Sequence, residues 1–275
     1  MIPVLSQVCS LHSDFGRDVR DYAAGQCRQI EVWLTKLETF LENHSLTEFH
    51  ELLDEQQVTL PVASFQGGLL TSQGDARTVA WEHFEQRLSL CQQCGISVIV
   101  LAADIAAPLR QTDVDRAIAS LQQAAELAAG YRVRVALEFQ ARAAFINNLQ
   151  TAVAVVEDVG KANLGICLDA FHFYTGPSKY SDLQLLTNEN LFHVQLSDLA
   201  DVPREFATDS DRILPGEGDF DVAALIEQLR AVDYQGTIAI EVMNPRIWQI
   251  PPLQFGEIGT TALRMLLGLA DDKIS

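Results

Sequence analysis

Short runs rich in β-forming residues alternate with helical segments along the whole chain, and this alternation restricts the fold more than any other feature. Eight runs have the composition of strands: Val4–Cys9, Gln29–Leu34, Thr59–Phe65, Ser97–Ala102, Val133–Phe139, Leu164–Phe171, Leu191–Asp198 and Thr237–Met243. Segments with helical spacing lie between them, among them Thr78–Cys94, Asp113–Ala129, Asn148–Gly160, Val222–Val232 and Gly259–Leu269. Strand–helix repeats of this kind predict an α/β fold with a parallel sheet covered by helices.

The number of repeats selects one architecture within the α/β class. Eight strand–helix units without a long linker predict a single (β/α)8 TIM barrel that occupies residues 1–275 as one domain. A doubly wound open sheet is the competing fold, and it usually carries a glycine-rich turn after its first strand. Here the first strand runs into SLHSDFG, and neither GxGxxG nor GxxxxGK[ST] occurs in the chain.

Residues with capping preferences mark several of the predicted helix ends. We expect Asp113 to cap the helix that it begins and Gly130 to close it, while Gly95 and Gly160 stand where C-caps belong.

The net charge of -18 at pH 7 narrows the classes of partner. Such an acidic surface repels phosphate backbones, so we expect no nucleic-acid binding, and an anionic substrate needs locally placed Arg or Lys. No apolar run is long enough to span a membrane, so we expect no membrane association. The N-terminal MIPVLSQVCSLHSDFG has no basic region before an apolar one, so we expect no signal peptide.

The cysteines are scattered and odd in number: Cys9, Cys27, Cys91, Cys94 and Cys167. This is not a disulfide framework, and it predicts a protein of the reducing cytoplasm. Cys91 and Cys94 form a CxxC, but no second pair completes a zinc site, so we interpret both as small buried thiols.

The last four predicted strands each carry a row of small and polar residues at alternate positions. The opposite rows are large and apolar, and in a barrel they would meet the surrounding helices. Phe192 belongs to the apolar row of the seventh strand. The polar rows would then point into the barrel: Arg134, Ala136 and Glu138; Gly165, Cys167 and Asp169; His193, Gln195 and Ser197; Thr237, Ala239 and Glu241.

Oxygen-bearing side chains come late in each of these rows, at the strand ends where barrel enzymes place their chemistry. Glu138, Asp169 and Glu241 cannot all be ionised at one spot without a compensating cation. Together with the amide oxygen of Gln195 they form an all-oxygen set that suits one hard divalent ion.

Two further residues accompany this set. His172 follows Asp169 by three positions and is expected to reach over the same strand ends as a substrate-binding residue. Arg212 lies in the irregular stretch Leu199–Phe220, the expected loop after the seventh strand, where it is predicted to clamp a substrate oxygen or phosphate. The other loop cations that could bind an anionic substrate are Lys179 and Arg246.

The order and spacing of these motifs resemble the xylose isomerase-like TIM-barrel family of sugar and sugar-phosphate isomerases and epimerases. The matching motifs are ALEF with Glu138, LDAFHF with Asp169 and His172, HVQLSD with His193, RILPGEGDF with Arg212, and AIEVMN with Glu241. The resemblance is strong from about Val133 to Leu267 and weaker earlier, where QIEVWL with Glu31 resembles the family's second strand.

The resemblance implies one divalent ion held by Glu138, Asp169, the seventh-strand ligand and Glu241. It also implies that Glu138 and Glu241 flank the substrate and act as catalytic acid and base. They would shuttle a proton at the carbon beside a carbonyl, through an enediolate. His193 is expected to contact the substrate or support the ligands.

Gln195 departs from the family pattern, which has histidine as the seventh-strand ligand in most members. An amide oxygen favours Mn or Mg over Zn or Co. Gln at this position is also associated with relatives that resemble 3-dehydroshikimate dehydratase, in which water is lost after proton removal. The alternative to a sugar isomerase or epimerase is therefore a dehydratase of a cyclic hydroxyketone.

Two other classes share the barrel. Apurinic endonucleases need a histidine-rich site with several metals and a basic face, which six histidines and a net charge of -18 do not favour. A non-catalytic binding barrel is disfavoured because the acidic ring is complete. The expected partner is a small-molecule sugar, sugar phosphate or cyclic polyol, and a homo-oligomer is left open.

Overall fold

Eight parallel strands form a closed barrel in the order β1 to β8 in the computed structural model, which describes residues 1–269. The strands are β1 Ile2–Ser6, β2 Gln29–Trp33, β3 Thr59–Gln66, β4 Val98–Ala102, β5 Arg134–Glu138, β6 Leu164–Asp169, β7 Leu191–Leu196 and β8 Thr237–Ile240. The helices are α1 Phe15–Ala24, α2 Leu34–Leu41, α3 Leu46–Gln56, α4 Gly74–Gln93, α5 Gln111–Gly130, α6 Leu149–Val159, α7 Ala170–Thr175, α8 Val222–Ala231 and α9 Pro252–Leu267. The predicted (β/α)8 TIM barrel is confirmed.

Several strands end earlier than predicted, and at the end of β6 a side chain takes over the hydrogen bonds of the backbone. The segment Gln7–Ser10 leaves the first strand as a 3-10 helix. Strand β6 stops at Asp169, whose carboxylate accepts bonds from the first backbone N–H groups of α7. Strands β7 and β8 stop at Leu196 and Ile240, so Glu241 lies just beyond the last strand.

The predicted helix caps are correct in part. Asp113 is not the N-cap of α5; it is the third helical residue, and its carboxylate accepts a bond from the backbone N–H of Arg110 at 3.1 Å. Gly130 is the last residue of α5. Gly160 caps α6 with φ +62°, and Gly95 has φ +72°, backbone angles that glycine adopts without strain.

Helix α9 begins well before its predicted start at Gly259. Pro251 is its N-cap and Pro252 its first residue, a position where proline costs nothing because the first N–H has no partner within the helix. Among the described residues, no helix is long and apolar enough to cross a lipid bilayer.

The contacts of the chain divide it into two units, of which the first comprises residues 1–59 and the chain from residue 195 onward. Strand β1 pairs with both β2 and β8 in this unit, with Ser6 opposite Glu31 and Leu5 opposite Ile240. The register therefore brings Glu31 and the residue after Ile240 to the level of Ser6, the last residue of β1.

The second unit comprises residues 60–194 and contains β3 to β6 in parallel register. Glu138 ends β5 opposite Ala102 on one side and Cys167 on the other. The prediction of one domain over residues 1–275 stays a prediction, and residues 270–275 lie outside the described part of the chain.

Phe192 does not lie where the alternation predicted it. Its ring packs on the side of the small residues Ala136 and Cys167. The buried cluster to which it belongs consists of Val62, Val98, Val100, Ala136, Cys167 and Phe192. A Cβ on Gly165 would lie 2.7 Å from the ring, and the Arg134 guanidinium covers it at 4.6 Å. Three small residues leave a volume that only a large side chain fills, so the predicted helix-facing position of Phe192 is wrong.

Candidate active site

Two carboxylates and one imidazole form a buried group in the second unit. Glu138 ends β5, Asp169 ends β6, and His172 lies in the first turn of α7. One ligand atom from each lies within 4.8 Å of the others, with His172 Nε2 3.5 Å from Glu138 Oε1 and 4.0 Å from Asp169 Oδ2. The group could hold a metal ion, because buried carboxylate oxygens and imidazole nitrogens are ordinary ligands of divalent ions.

The sequence DAFH produces this arrangement locally. Asp169 Oδ1 accepts bonds from the backbone N–H of Phe171 at 2.6 Å and of His172 at 3.3 Å. These bonds start α7 directly after β6, so its first turn carries His172 back over the strand end.

A second group of buried polar side chains lies in the first unit and centres on Gln195. The amide nitrogen of Gln195 donates to Glu31 Oε1 at 2.9 Å and to Glu241 Oε1 at 3.0 Å. Glu31 is fully buried, and Gln195 and Glu241 are exposed by only 1% and 4%. One amide thus holds two carboxylates in fixed positions.

The backbone around Glu241 is held from both sides. Its N–H donates to Leu196 O at 3.0 Å, which continues the parallel pairing beyond the end of β8. The Cys9 thiol donates to Ile240 O at 3.4 Å, and Cys9 Sγ accepts from the N–H of Val242 at 3.2 Å. Burial raises the pKa of Cys9 far above its usual value, so the thiol keeps the proton that it donates.

Arg212 provides the positive charge of this group. Its Nη1 donates to Glu241 Oε2 at 3.2 Å, while Nε and Nη2 donate to Asp209 Oδ1 at 3.0 and 2.8 Å. The side chain is fully buried although it comes from a loop. Arg212 therefore fixes Glu241 instead of lying in solvent, and Asp209 fixes Arg212.

The loop that carries Arg212 is built around the carboxylate of Asp198. Asp198 Oδ2 accepts from the N–H of Gly216, and Oδ1 accepts from those of Leu199 and Phe220, all at 2.8–2.9 Å. A Cβ on Gly218 would lie 2.3 Å from Asp198 Oδ1, so only glycine fits there. The PGEG turn wraps this carboxylate and brings Arg212 to Glu241.

Two backbone bonds complete the anchor of this loop. The N–H of Asp198 donates to Ile213 O, and the N–H of Ile213 donates to Asp198 O, both at 3.0 Å. Because Ile213 adjoins Arg212, this short antiparallel bridge fixes the direction in which the arginine leaves the loop. The interpretation of Leu199–Phe220 as a loop after the seventh strand is confirmed.

The remaining predicted site residues are placed as follows. His193 is fully buried in β7, within the second unit, and its substrate contact stays a prediction. Lys179 and Arg246 are exposed loop cations. The structure thus groups Glu138 and Asp169 with His172, and Gln195 and Glu241 with Arg212.

Four residues of these groups were not assigned a role from the sequence: Cys9, Glu31, Asp198 and Asp209. Glu31 had a signal, because a charged residue stands between Ile30 and Val32 in an otherwise buried strand. Asp198 had a weaker one, since a glycine-rich turn offers backbone N–H groups that need an acceptor. Asp209 lies three residues before Arg212, a spacing that permits the ion pair, whereas Cys9 had no signal because it is far in sequence from Ile240 and Val242.

Curated proteins with similar sequences include isomerases and dehydratases. An inosose isomerase of Halalkalibacterium halodurans is 34% identical over 131 residues, which are 47% of this chain and 46% of that protein. One of Bacillus velezensis is 24% identical over 222 residues, 79% of each chain. A 3-dehydroshikimate dehydratase of Pseudomonas aeruginosa is 29% identical over 170 residues, 59% of this chain and 26% of that protein. The chain thus spans about half of the first relative and a quarter of the last.

A solved structure with the same fold is that of the IOLI protein with a bound zinc atom. It superposes with a TM-score of 0.90 over 98% of both chains at 20% sequence identity. A sequence profile described as "Xylose isomerase-like TIM barrel" matches residues 23–258. The predicted likeness to a family of isomerases, epimerases and dehydratases is confirmed, and the chain belongs to the xylose isomerase-like TIM barrel family.

Proposed function

We propose that the protein is a divalent-metal-dependent isomerase or epimerase of a cyclic polyol, sugar or sugar phosphate that transfers a proton next to a carbonyl through an enediolate. The observation that carries the proposal is the buried group of Glu138, Asp169 and His172, whose ligand atoms lie within 4.8 Å of one another. The inosose isomerases among the relatives point to a cyclic polyol as the substrate class.

The residues present fit a divalent ion. In the proposal Glu138, Asp169, Gln195 and Glu241 hold one ion, and what supports this set is that each lies within one residue of the end of its strand, the strands being β5 to β8. Three carboxylates and an amide oxygen favour Mg or Mn, while a zinc atom is bound in the related IOLI structure. A bound divalent ion would supply Lewis acidity toward the substrate oxygens.

The proton is moved by the chain's own carboxylates. Arg212 and Gln195 hold Glu241 at both of its oxygens, so the carboxylate is oriented as a base toward a substrate C–H. Glu138 is the matching acid or base, and His172 at 3.5 Å is placed to bind the substrate oxygen beside it. His193 and Arg212 bind further substrate oxygens in this proposal. Burial of all these groups excludes water from the reacting carbon.

A dehydratase of a cyclic hydroxyketone such as 3-dehydroshikimate is the second candidate. The observation that favours it is the Gln at position 195, together with a 3-dehydroshikimate dehydratase among the relatives. Both reactions begin with removal of a proton beside a ketone. They differ in the next step, because the dehydratase expels a hydroxide as water instead of returning the proton to carbon.

The remaining partners follow from composition. We infer a small-molecule substrate without nucleic acid, and a homo-oligomer stays open. The cytoplasm is the inferred compartment, which agrees with the free thiols of all five cysteines.

Deuterium exchange tests the proposal. The protein is stripped of metal, reloaded with Mn²⁺ or Mg²⁺, and incubated in heavy water with inososes, ketoses, ketose phosphates or 3-dehydroshikimate. Deuterium in the recovered substrate or its epimer supports the isomerase or epimerase, and ultraviolet absorbance of a conjugated product supports the dehydratase. Elemental analysis that finds no bound ion after Mn²⁺ and Mg²⁺ are supplied would contradict the metal site.

A further inference from the structure

We propose that Glu31 is a positioning residue that fixes the amide of Gln195 and, through that amide, the carboxylate of Glu241. The inference rests on the proposed function, in which Gln195 and Glu241 hold the divalent ion and Glu241 moves the proton. Glu31 itself is neither a ligand nor a base in that function.

The geometry places Glu31 within reach of the amide and nowhere near solvent. Glu31 is the third residue of β2, fully buried, and opposite Ser6 of β1. Its Oε1 accepts from Gln195 Nε2 at 2.9 Å. A carboxyl group at such a position loses the hydration of its oxygens and needs hydrogen-bond donors in their place, so an apolar residue would suit the strand better. Its presence therefore indicates a role beyond packing.

The two hydrogens of an amide nitrogen explain what Glu31 does. One is directed at Glu31 Oε1 and the other at Glu241 Oε1, 3.0 Å away. Rotation of the amide by half a turn would bring its oxygen against two carboxylate oxygens, which repel it. Glu31 and Glu241 together thus define which way the amide faces. The carbonyl oxygen, the only atom of Gln195 able to bind a cation, is directed accordingly.

A glutamine side chain needs this second acceptor more than the imidazole ring of a histidine at the same position would. An amide on a flexible side chain can present either end to an ion, and only one end binds it. With a single carboxylate the amide nitrogen would keep one bond and could still swing about it. A bond on each hydrogen removes that freedom, which is the usual task of groups that support metal ligands.

Three Glu31 variants separate the role of the acceptor from that of the charge. Glu31→Gln keeps an oxygen that can accept from Gln195, whereas Glu31→Met keeps the volume and removes the acceptor. If Glu31→Met does not fold, Glu31→Asp is used in its place, because the shorter side chain moves the acceptor away from Gln195 by the length of one methylene. The matched control is Asp18→Asn, which also converts a fully buried carboxylate of the same unit to an amide, at a position outside the site.

Mn²⁺ binding and the Gln195 amide signal are the two readouts. Calorimetry on metal-free protein is expected to show Mn²⁺ affinity about 10–100-fold weaker in Glu31→Met, near wild type in Glu31→Gln and unchanged in Asp18→Asn. In metal-free protein labelled with ¹⁵N-glutamine, the side-chain NH₂ signal that disappears in Gln195→Glu belongs to Gln195. Its protons should exchange slowly with solvent in wild type and faster in Glu31→Met. kcat should fall in Glu31→Met while KM stays the same.

The outcomes distinguish this inference from the proposed function. If wild type binds no Mn²⁺, the proposed function fails, and this inference fails with it. If wild type binds one ion and Glu31→Met binds it equally well, only the role of Glu31 is wrong. Loss of affinity in Asp18→Asn to the same extent would also overturn the inference, because the effect would then come from any buried carboxylate.

Discussion

Two buried polar clusters lie in the same unit of this protein, and they balance charge in different ways. The ion-pair cluster consists of Ser10, Asp18, Tyr22 and Lys36. Lys36 Nζ donates to Asp18 Oδ2 at 2.6 Å and to the carbonyl oxygens of Ser10 and Gln7 at 2.7 and 3.1 Å. Ser10 Oγ donates to Asp18 Oδ1 at 2.8 Å. One ammonium thus uses all three of its donors, and one carboxylate balances it.

The amide cluster consists of Glu31, Gln195, Arg212 and Glu241. It contains two carboxylates and one guanidinium, and that guanidinium also bonds Asp209. A neutral amide does the work that a second cation would do in a structural cluster. We interpret the ion-pair cluster as a support of the fold, and in the proposed function the excess of negative charge in the amide cluster serves a cation and proton transfer.

The largest expected effect is on kcat in a Glu241 variant whose free energy of unfolding stays nearly unchanged. Glu241→Gln removes the proposed base and ligand, so kcat should fall by at least about 10³-fold. Stability should change little, because the loss of attraction to Arg212 is offset by relief of repulsion between the two carboxylates around Gln195. Steady-state kinetics and urea unfolding measure the two effects.

Glu217→Gln is the control, since Glu217 is an exposed glutamate of the neighbouring loop. Near wild-type turnover in Glu241→Gln would remove Glu241 from the mechanism. Strong destabilisation without loss of turnover would reverse the assignment of the two clusters.

The ion-pair cluster should show the opposite pattern. Lys36→Met leaves Asp18 and two carbonyl oxygens without their cation in a buried place, which should cost about 3–5 kcal/mol of unfolding free energy. The kcat of the folded variant should stay at the wild-type level. Lys161→Met, which breaks the surface pair with Glu126, should cost less than about 1 kcal/mol. An equal loss in both variants would show that the Lys36 pair is not structural.

The barrel was predictable from the sequence, because its signal is repeated eight times and each strand tolerates an error at its ends. The positions of Glu138, Asp169 and Glu241 were also predictable, since each lies at the end of a clear apolar strand or directly after it. What the sequence could not show is which side chains hold them. Glu31 and Gln195 are far apart in the chain, and a hydrogen bond between them leaves no periodic trace.

Phe192 shows the limit of alternation. Alternation assigns each residue of a strand to the correct face only if the strand alternates without interruption and no side chain moves to fill a space on the other face. The small residues Ala136, Gly165 and Cys167 left a space, and the phenyl ring of a neighbouring strand fills it. Side-chain packing therefore determined the position of Phe192, whereas the alternation of the strands predicted the positions of Glu138 and Asp169 correctly.

The pH dependence of stability tests which force dominates in the ion-pair cluster. Burial raises the pKa of Asp18 from 3.8 to about 6, although Lys36 and Ser10 oppose the shift. A carboxyl group with a raised pKa in the folded state contributes stability that is complete below pH 4 and is lost as the pH rises through 6. Asp18→Asn lacks this titration. The unfolding free energy of wild type relative to Asp18→Asn should therefore fall by about 2 kcal/mol between pH 4 and pH 7. If the difference grows with pH instead, attraction to Lys36 outweighs burial, and the pKa of Asp18 is lowered.

The smallest effect concerns how the guanidinium of the amide cluster is held. In Gly218→Ala the new methyl group would lie 2.3 Å from Asp198 Oδ1 and 2.4 Å from Leu199 O, so the turn must open and Asp198 must release its backbone donors. Arg212 would then lose its fixed direction, and KM should rise about 10-fold, a change of about 1.4 kcal/mol. Gly130→Ala is the control, since nothing lies within 4 Å of a Cβ there and the residue is helical. That change should leave kinetics unchanged and stabilise α5 slightly. Unchanged KM in Gly218→Ala would mean that the loop positions Arg212 without Asp198, and that Asp209 and Glu241 alone hold the guanidinium.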